Sequence, residues 1–414
     1  VTTCDDPPLL RDPALPADHL LGSGAAEVLA AAIGAAGGTV ERSEPVQTTY
    51  HPGRSLTVLH RARVRWADGS RTDEELGLAA GRRAPDGAIT ISDGAQDLVV
   101  WRVPHDPWLP GLAAATDPDA VGGLLRSIGY DLGGEVRTRV RAYRPGRRAV
   151  VEVTAPGVRA FAKVVRPAKA QALRDVHEHL AGHVPVPAPI GWSPEHGIVL
   201  LQGLAGRTLR DALFARFPTP GPASLLALLD ALPAPSDGTA PGPADWRAAE
   251  FATLLASIAP DLAARLDALV AGLAPFEAEA TAEPVVPVHG DLYEAQLLVD
   301  GGAITGLLDI DTHRLGRRVD DLATAIGHLS VLAIGSPDHH AHLTSYATRL
   351  LDGFDRAVDP ALLRAGVASV VLGLATGSFR VLEPSWQAHT EHRVALAEAW
   401  LASAHDLRRT LRHR

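Results

Sequence analysis

The stretch VHGDLYEAQLLVDGGAITGLLDID, residues 288–311, constrains this chain most. Two short apolar runs, QLLV and AITGLLDI, flank Asp300-Gly301-Gly302. Paired glycines supply the positive φ that a tight turn between twisted strands needs, so this is a hairpin signal. With Gly301-Gly302 as the turn, Gln296 is expected opposite Leu307, and Asp309 lies two residues further on. Both side-chain oxygens then come out at the open end of the hairpin. Asp291 precedes Gln296 by five residues, in a loop. Three hard oxygen donors converging there suit Mg²⁺, which takes octahedral oxygens and completes its shell with phosphate. A carboxylate just outside the metal can orient a hydroxyl and accept its proton, as phosphoryl transfer requires. Taken singly, His-Gly-Asp reads as a turn and Asp309 as a solvated strand end; the joint spacing carries the signal.

Around this hairpin the pattern changes. Residues 223–280 and 321–414 are rich in Ala and Leu at helical spacing. Upstream, EVRTRVRAY, AVVEVT and RAFAKVV (135–166) alternate as strands do, and KAQALRDVHEHLAG (169–182) reads as a helix stopped by Gly182. The expected fold is α+β with two lobes. TTYHPGRSLTV (48–58) matches RAYRPGRRAVV (141–151) at Tyr, Pro, Gly and Arg, and both copies run on into alternating strands. This reads as an internal duplication whose first copy has no Phe-Ala-Lys equivalent. The expected domains are an N-terminal cap-like α+β domain (1–125), a nucleotide lobe (126–205) and a helical lobe with the catalytic hairpin (206–414).

VHGDLYEAQLLV…ITGLLDID resembles the catalytic segment of the aminoglycoside phosphotransferase and choline kinase-like family, small-molecule kinases with the protein-kinase fold. That family has His-Gly-Asp-Leu, an asparagine five past the Asp, a short hairpin, and an aspartate after apolar residues. Here the second interval is 309 − 296 = 13 residues, and RRVDDLATAIGHL follows, similar to the family's Asp-Leu-Ala helix start. The resemblance implies Asp291 as catalytic base, Asp309 as main metal ligand, Gln296 in place of the asparagine ligand, and Asp321 as a brace of the catalytic loop. It implies ATP and Mg²⁺ as cofactors. Lys163, mid-strand between apolar residues, is costly to bury without an anion, and by resemblance it is the lysine that meets ATP phosphates. Glu178 is the available glutamate to partner it, although Arg174 at i−4 competes. Gln202 and Leu204, in GIVLLQGLAGRTL, resemble the hinge that grips adenine through backbone groups.

Composition narrows the partners. The formal net charge of −9 argues against nucleic acid, despite the local cluster RTRVRAYRPGRR (137–148). The one cysteine, Cys4, excludes an intrachain disulfide and a cysteine-rich zinc site. The N-terminal residues lack a signal-peptide pattern, and AGVASVVLGLATGSF (365–379) falls short of the ~20 residues of a spanning helix. A cytoplasmic protein without membrane partners is expected. The expected acceptor is a small hydroxyl compound: a sugar, an aminoglycoside or a related natural product. Aminoglycosides are polycations, and residues 331–414 show no acidic excess. His313, Trp386 and His389 are weaker candidates for its pocket. A pseudokinase that binds nucleotide or ligand to regulate a partner is the competing reading.

Overall fold

The alternating runs form two antiparallel five-stranded sheets. The first contains β1 (Gly38–His51), β2 (Ser55–Trp66), β3 (Arg71–Ala80), β4 (Ile89–Ser92) and β5 (Asp97–Arg102), in the order β1-β2-β3-β5-β4. The second contains β6 (Arg137–Arg144), β7 (Arg148–Ala155), β8 (Val158–Val165), β9 (Pro189–Ser193) and β10 (Ile198–Gln202), in the order β6-β7-β8-β10-β9. The two orders are the same. The computed structural model describes residues 10, 12–92, 96–236, 238, 242–244 and 246–412; Cys4 lies outside them.

The likeness holds to the level of register. Thr57 faces Ala79, which faces Val99; Val150 faces Lys163, which faces Val199. An alanine therefore stands in the first sheet where the lysine stands in the second.

An aspartate holds the first turn of each sheet. Asp106 Oδ2 accepts from the Tyr143 hydroxyl (2.8 Å) and the Gly146 N–H (2.6 Å), while its Oδ1 accepts from the Trp108 N–H (2.9 Å). Asp12 accepts from the Tyr50 hydroxyl (2.9 Å), the Gly53 N–H (2.7 Å) and the Ala14 N–H (2.9 Å). Gly53 and Gly146 share a φ of +64°, a conformation that favours glycine. Each aspartate opens an Asp-Pro-X-Leu-Pro segment, 12–16 and 106–110. The first sheet thus matches the second in topology, register and turn clamp.

The two copies also touch. Trp101 Nε1 donates to the Tyr143 hydroxyl at 2.9 Å. Arg82 donates to the Gly146 carbonyl at 3.2 Å and lies 4.0 Å above the Trp108 ring.

Beyond β10 the chain is mainly helical. Helix Pro360–Leu374 lies at the centre, packed on helices Arg318–Ile334 and Trp386–Arg412, with Leu363, Val367 and Val371 fully buried. The apolar stretch Pro360–Arg380 is 21 residues with mean hydropathy 1.6, so it is long enough to span a bilayer, contrary to the shorter sequence estimate. Yet 67% of its most apolar window is buried inside the protein, which makes it a core helix of this lobe. Phe379 and Trp386 extend from this lobe into the core of the first sheet and join the N-terminal domain to it.

The two clamps differ in burial: Asp106 is 2% exposed, whereas the bond from Gly53 to Asp12 lies at the surface. Removing an acceptor strands buried donors at about 1–3 kcal/mol each, but surface donors turn to water. Asp106→Ala is expected to lower unfolding free energy by about 3 kcal/mol and Asp12→Ala by about 1 kcal/mol, read from urea midpoints at unchanged slope. Equal losses would contradict this account.

Candidate active site

The loop holding Asp291 is fixed by hydrogen bonds to the segments around it. Strand Val285–Val288 pairs with Arg314–Arg317 and delivers His289 to the start of helix Arg318–Ile334. There the fully buried Asp321 accepts from the N–H groups of His289 (2.7 Å) and Gly290 (2.8 Å). The His289 ring lies between the Leu308 carbonyl (Nε2, 2.8 Å) and the Asp291 N–H (Nδ1, 3.2 Å). The amide can only donate, so Nδ1 is the acceptor and Nε2 carries the proton. Gly290 has φ +84°, and a Cβ there would stand 2.5 Å from the Thr312 carbonyl. Backbone geometry therefore calls for glycine at 290, and the His289 ring ties the loop to the hairpin.

The hairpin departs by one residue from the sequence expectation. Leu297, not Gln296, faces Leu307, and Leu298 faces Gly306. A shift follows, Val299 facing Ile304, which leaves Thr305 as an extra residue on the returning strand. The Gln296 carbonyl accepts from the Leu308 N–H at 2.7 Å. Asp309 then leaves the strand in the left-handed region (φ 54°, ψ 48°), a conformation that aspartate tolerates better than most residues. Gln296 Nε2 donates to Asp309 Oδ2 at 3.4 Å, which sets the amide and the carboxylate side by side.

Asp309 gathers the cations. Lys163 Nζ stands 2.8 Å from Oδ1, and Arg148 binds both carboxylate oxygens at 3.0 and 2.9 Å. Lys163 also donates to Asp311 Oδ1 at 2.5 Å. Burial alone would raise the Asp309 pKa, but Lys163 and Arg148 outweigh it and hold the carboxylate below its ordinary range. Lys163 is 6% exposed, and these two carboxylates compensate its burial.

Glu178 is not the partner of Lys163. Helix Pro167–Ala181 turns Ala170, Leu173, His177 and Leu180 inward, and Glu178 falls off that face. It is exposed and pairs with Arg174 at 2.6 Å. The second carboxylate beside Lys163 is instead Asp311, 148 residues away in sequence. The Gln202 N–H is bonded to the Ala188 carbonyl at 2.9 Å, so it is not free for a nucleotide base. The Leu204 N–H donates to no backbone carbonyl among the described residues.

Asp291 borders a cavity of about 590 Å³ between the helical lobe and the two sheet turns. Burial, then the nearby Asp309 charge, raise its pKa to about 6 against the pull of His289 and Arg148. Tyr293 lines the same cavity and stacks on His328, with ring centroids 4.1 Å apart. Glu294 is buried, and its Oε1 is held by Arg210 at 2.9 and 2.7 Å. Three weaker candidates lie elsewhere: His313 bonds the Val288 carbonyl, His389 pairs with Glu383, and Trp386 is buried under the first sheet.

Among the described residues no three His, Cys, Asp or Glu side chains form a metal cluster. One carboxylate, Asp309, and one amide, Gln296, instead stand side by side. That donor set fits Mg²⁺, which needs few protein ligands when phosphate completes its shell, and does not fit a structural zinc.

The Lys163–Asp309 pair bridges strand β8 and the hairpin, and its weight is measurable. A Lys163→Met/Asp309→Asn double-mutant cycle is expected to give a coupling of about 2 kcal/mol in unfolding free energy at pH 7. Asp309 has a depressed pKa in the folded state. The coupling is therefore full above the unfolded value of about 4 and fades as pH falls toward the folded value. A coupling near zero at pH 7 would show that the pair adds nothing.

The model of the phosphotransferase enzyme family matches residues 139–359. No curated protein sequence matches the chain. Among solved structures, the macrolide 2'-phosphotransferase of Brachybacterium faecium is 21% identical, with 67% of this chain and 97% of that chain covered at a TM-score of 0.41. The aminoglycoside phosphotransferase APH(3'')-Id of Streptomyces rimosus is 19% identical, with 62% and 98% covered at 0.44. A thermostable aminoglycoside phosphotransferase APH(4)-Ia mutant, in complex with AMP-PNP and hygromycin B, is 16% identical, with 69% and 98% covered at 0.47. The match of the family model spans more than half of the chain and includes Lys163, Asp291, Gln296 and Asp309: the chain belongs to the phosphotransferase enzyme family.

Proposed function

We propose that the protein is an ATP- and Mg²⁺-dependent O-phosphotransferase that phosphorylates a hydroxyl of a small polar molecule. One observation carries this reading. Asp291 stands between a cavity large enough for a small acceptor and the ionic cluster of Lys163, Arg148, Asp309 and Asp311. Donor phosphates on one side and an acceptor hydroxyl on the other would meet at this carboxylate.

In this scheme Asp291 orients the acceptor hydroxyl and takes its proton. A pKa of about 6 leaves it ionised at neutral pH and basic enough to assist. Lys163, aligned by Asp311, contacts the donor phosphates. Asp309 and Gln296 hold Mg²⁺, which neutralises phosphate charge when bound. Leu204 offers its backbone at the lobe junction to the base, with Gln202 beside it. Asp321 and His289 hold the loop so that Asp291 keeps its aim. Mg²⁺-dependent ATP consumption, measured against a panel of sugars, sugar acids and aminoglycosides, is the direct test; consumption with no member of the panel would count against the reading.

Two further outcomes are expected. Asp291→Asn should fold normally and reduce turnover by several orders of magnitude, because base and positioning are lost together. In the wild type, kcat/KM should fall below pH of about 6 as Asp291 takes up a proton. A flat profile between pH 5 and 7 in a stable enzyme would remove Asp291 from the base role. Gln296→Ala should raise the Mg²⁺ concentration for half-maximal rate about tenfold, whereas Gln296→Asn retains an amide oxygen and should be milder. An unchanged Mg²⁺ requirement in Gln296→Ala would show that Gln296 is no ligand.

A further inference from the structure

The cavity beside Asp291 has an unusual charge pattern. Its wall presents five guanidinium groups and three carboxylates. Arg247 pairs with Glu250 at 2.6 Å, and Arg314 stands 3.6 Å from Asp320. Three arginines remain, Arg144, Arg147 and Arg380, and the remaining carboxylate is Asp291. Among the described residues none of the three has a carboxylate within 4 Å, the distance at which ion pairs are counted. Arg144 ends β6, Arg147 sits in the turn before β7, and Arg380 closes the short helix Gly377–Arg380 of the other lobe. Two separate parts of the chain therefore aim like charges into one space. Their proximity registers in their ionisation: burial, then the charges of Arg144 and Arg147, lower the Arg380 pKa.

The opposite wall comes from the turn of the first sheet. Thr48, Thr49 and His51 line the cavity there and bring no negative charge. Burial, then the charge of Arg147, lower the His51 pKa, so it is neutral at pH 7. A polycationic acceptor would meet repulsion from three guanidiniums with one carboxylate to offset it, and like charges in a partly desolvated cleft are a strong selectivity term. Guanidinium forks match carboxylate and phosphate oxygens in geometry as well as charge.

Resting on the phosphotransferase reading above, we propose that the acceptor is a polyhydroxyl compound with an anionic group, a carboxylate or a phosphate, held by Arg144, Arg147 and Arg380 against the turn of the duplicated N-terminal domain. The anion sits on the acceptor, not on the nucleotide: Arg380 lies beside Tyr293 and His328 on the cavity side of Asp291, while the Lys163–Asp309 cluster lies on the other.

Binding calorimetry on the full chain, saturated with a non-hydrolysable ATP analogue and Mg²⁺, tests this. Gluconate, glucose 6-phosphate, glucose and kanamycin serve as probes. At least one anionic probe is expected to bind tenfold or more tightly than glucose, and kanamycin not at all. Arg380→Gln, at a residue without a side-chain partner among the described hydrogen bonds and ion pairs, should weaken the anionic probe at least tenfold and leave the affinity of the ATP analogue within twofold. Kanamycin or glucose binding as tightly as the anionic probes overturns the proposal, and so does binding by neither anionic probe. If Arg380→Gln weakens the ATP analogue by the same factor, the arginines serve nucleotide phosphate and the proposal falls. Anion binding that depends on Arg380, without Mg²⁺-dependent ATP consumption, would sustain the acceptor assignment and sink the kinase reading instead.

Discussion

One carboxylate ties the sheet to the hairpin. Asp309 is bound by Lys163 from β8 and by Arg148 from β7, and both of its oxygens are engaged. A lysine this buried is stable only beside negative charge, so the strand that carries it stays docked on the helical lobe. The same contact places the open end of the hairpin, and with it Gln296, at the base of the sheet. Asp291 feels this arrangement through space, since the Asp309 charge is part of what raises its pKa to about 6. Architecture and acid–base behaviour therefore share one electrostatic source.

The turn over that cluster depends on a second buried carboxylate. Asp106 fixes Tyr143 and Gly146, and the first sheet adds Trp101 and Arg82 to the same group. Arg144, Arg147 and Arg148 all hang from this turn or its flanks, so the direction of three guanidiniums follows from one aspartate and its neighbours. Burial pushes the Asp106 carboxyl up, while the Gly146 amide, the Tyr143 hydroxyl and Arg82 pull against that rise. A turn with only one glycine gains from its framework the rigidity that a glycine-rich loop lacks.

What could be read from the sequence was local. The interval from Gln296 to Asp309 lies within one hairpin, so strand alternation and turn chemistry were enough to bring these two side chains to the same end of it, although one residue out of register. The Tyr-Pro-Gly-Arg repeat was visible for the same reason. Distant or off-pattern features were not. Asp311 meets Lys163 across 148 residues, and no spacing rule connects them. Glu178 looked like a partner by residue type, but helix phase turns it to solvent. The bulge at Thr305 shifted the register by one; Gly306 beside it is a bulge signal that the two-residue turn at Gly301-Gly302 overshadowed. The two Asp-Pro-X-Leu-Pro segments were detectable as a second matching block, because they lie nearly the same distance before their turns.

The two copies show which parts of the lobe are framework and which are chemistry. The first copy has the strand order, the Pro-Gly turn and the aspartate clamp of the second. At the positions that bear charge in the second copy it has Ala79 for Lys163 and, by the alignment of the turns, Ser55 for Arg148. A sheet without those cations cannot assemble a second ionic cluster of this kind, and among the described residues no carboxylate hairpin faces it. Its turn reaches the cavity beside Asp291 instead, where Thr48, Thr49 and His51 present polar groups without a permanent charge. Packing against Phe379 and Trp386 of the helical lobe holds that turn in place, next to Arg380 in sequence. The duplicated lobe is thus packed on the element that carries one of the cavity arginines, and the polar contacts of Trp101 and Arg82 with the second sheet fix its other side, so the cavity wall and the placement of Arg380 depend on the same packing.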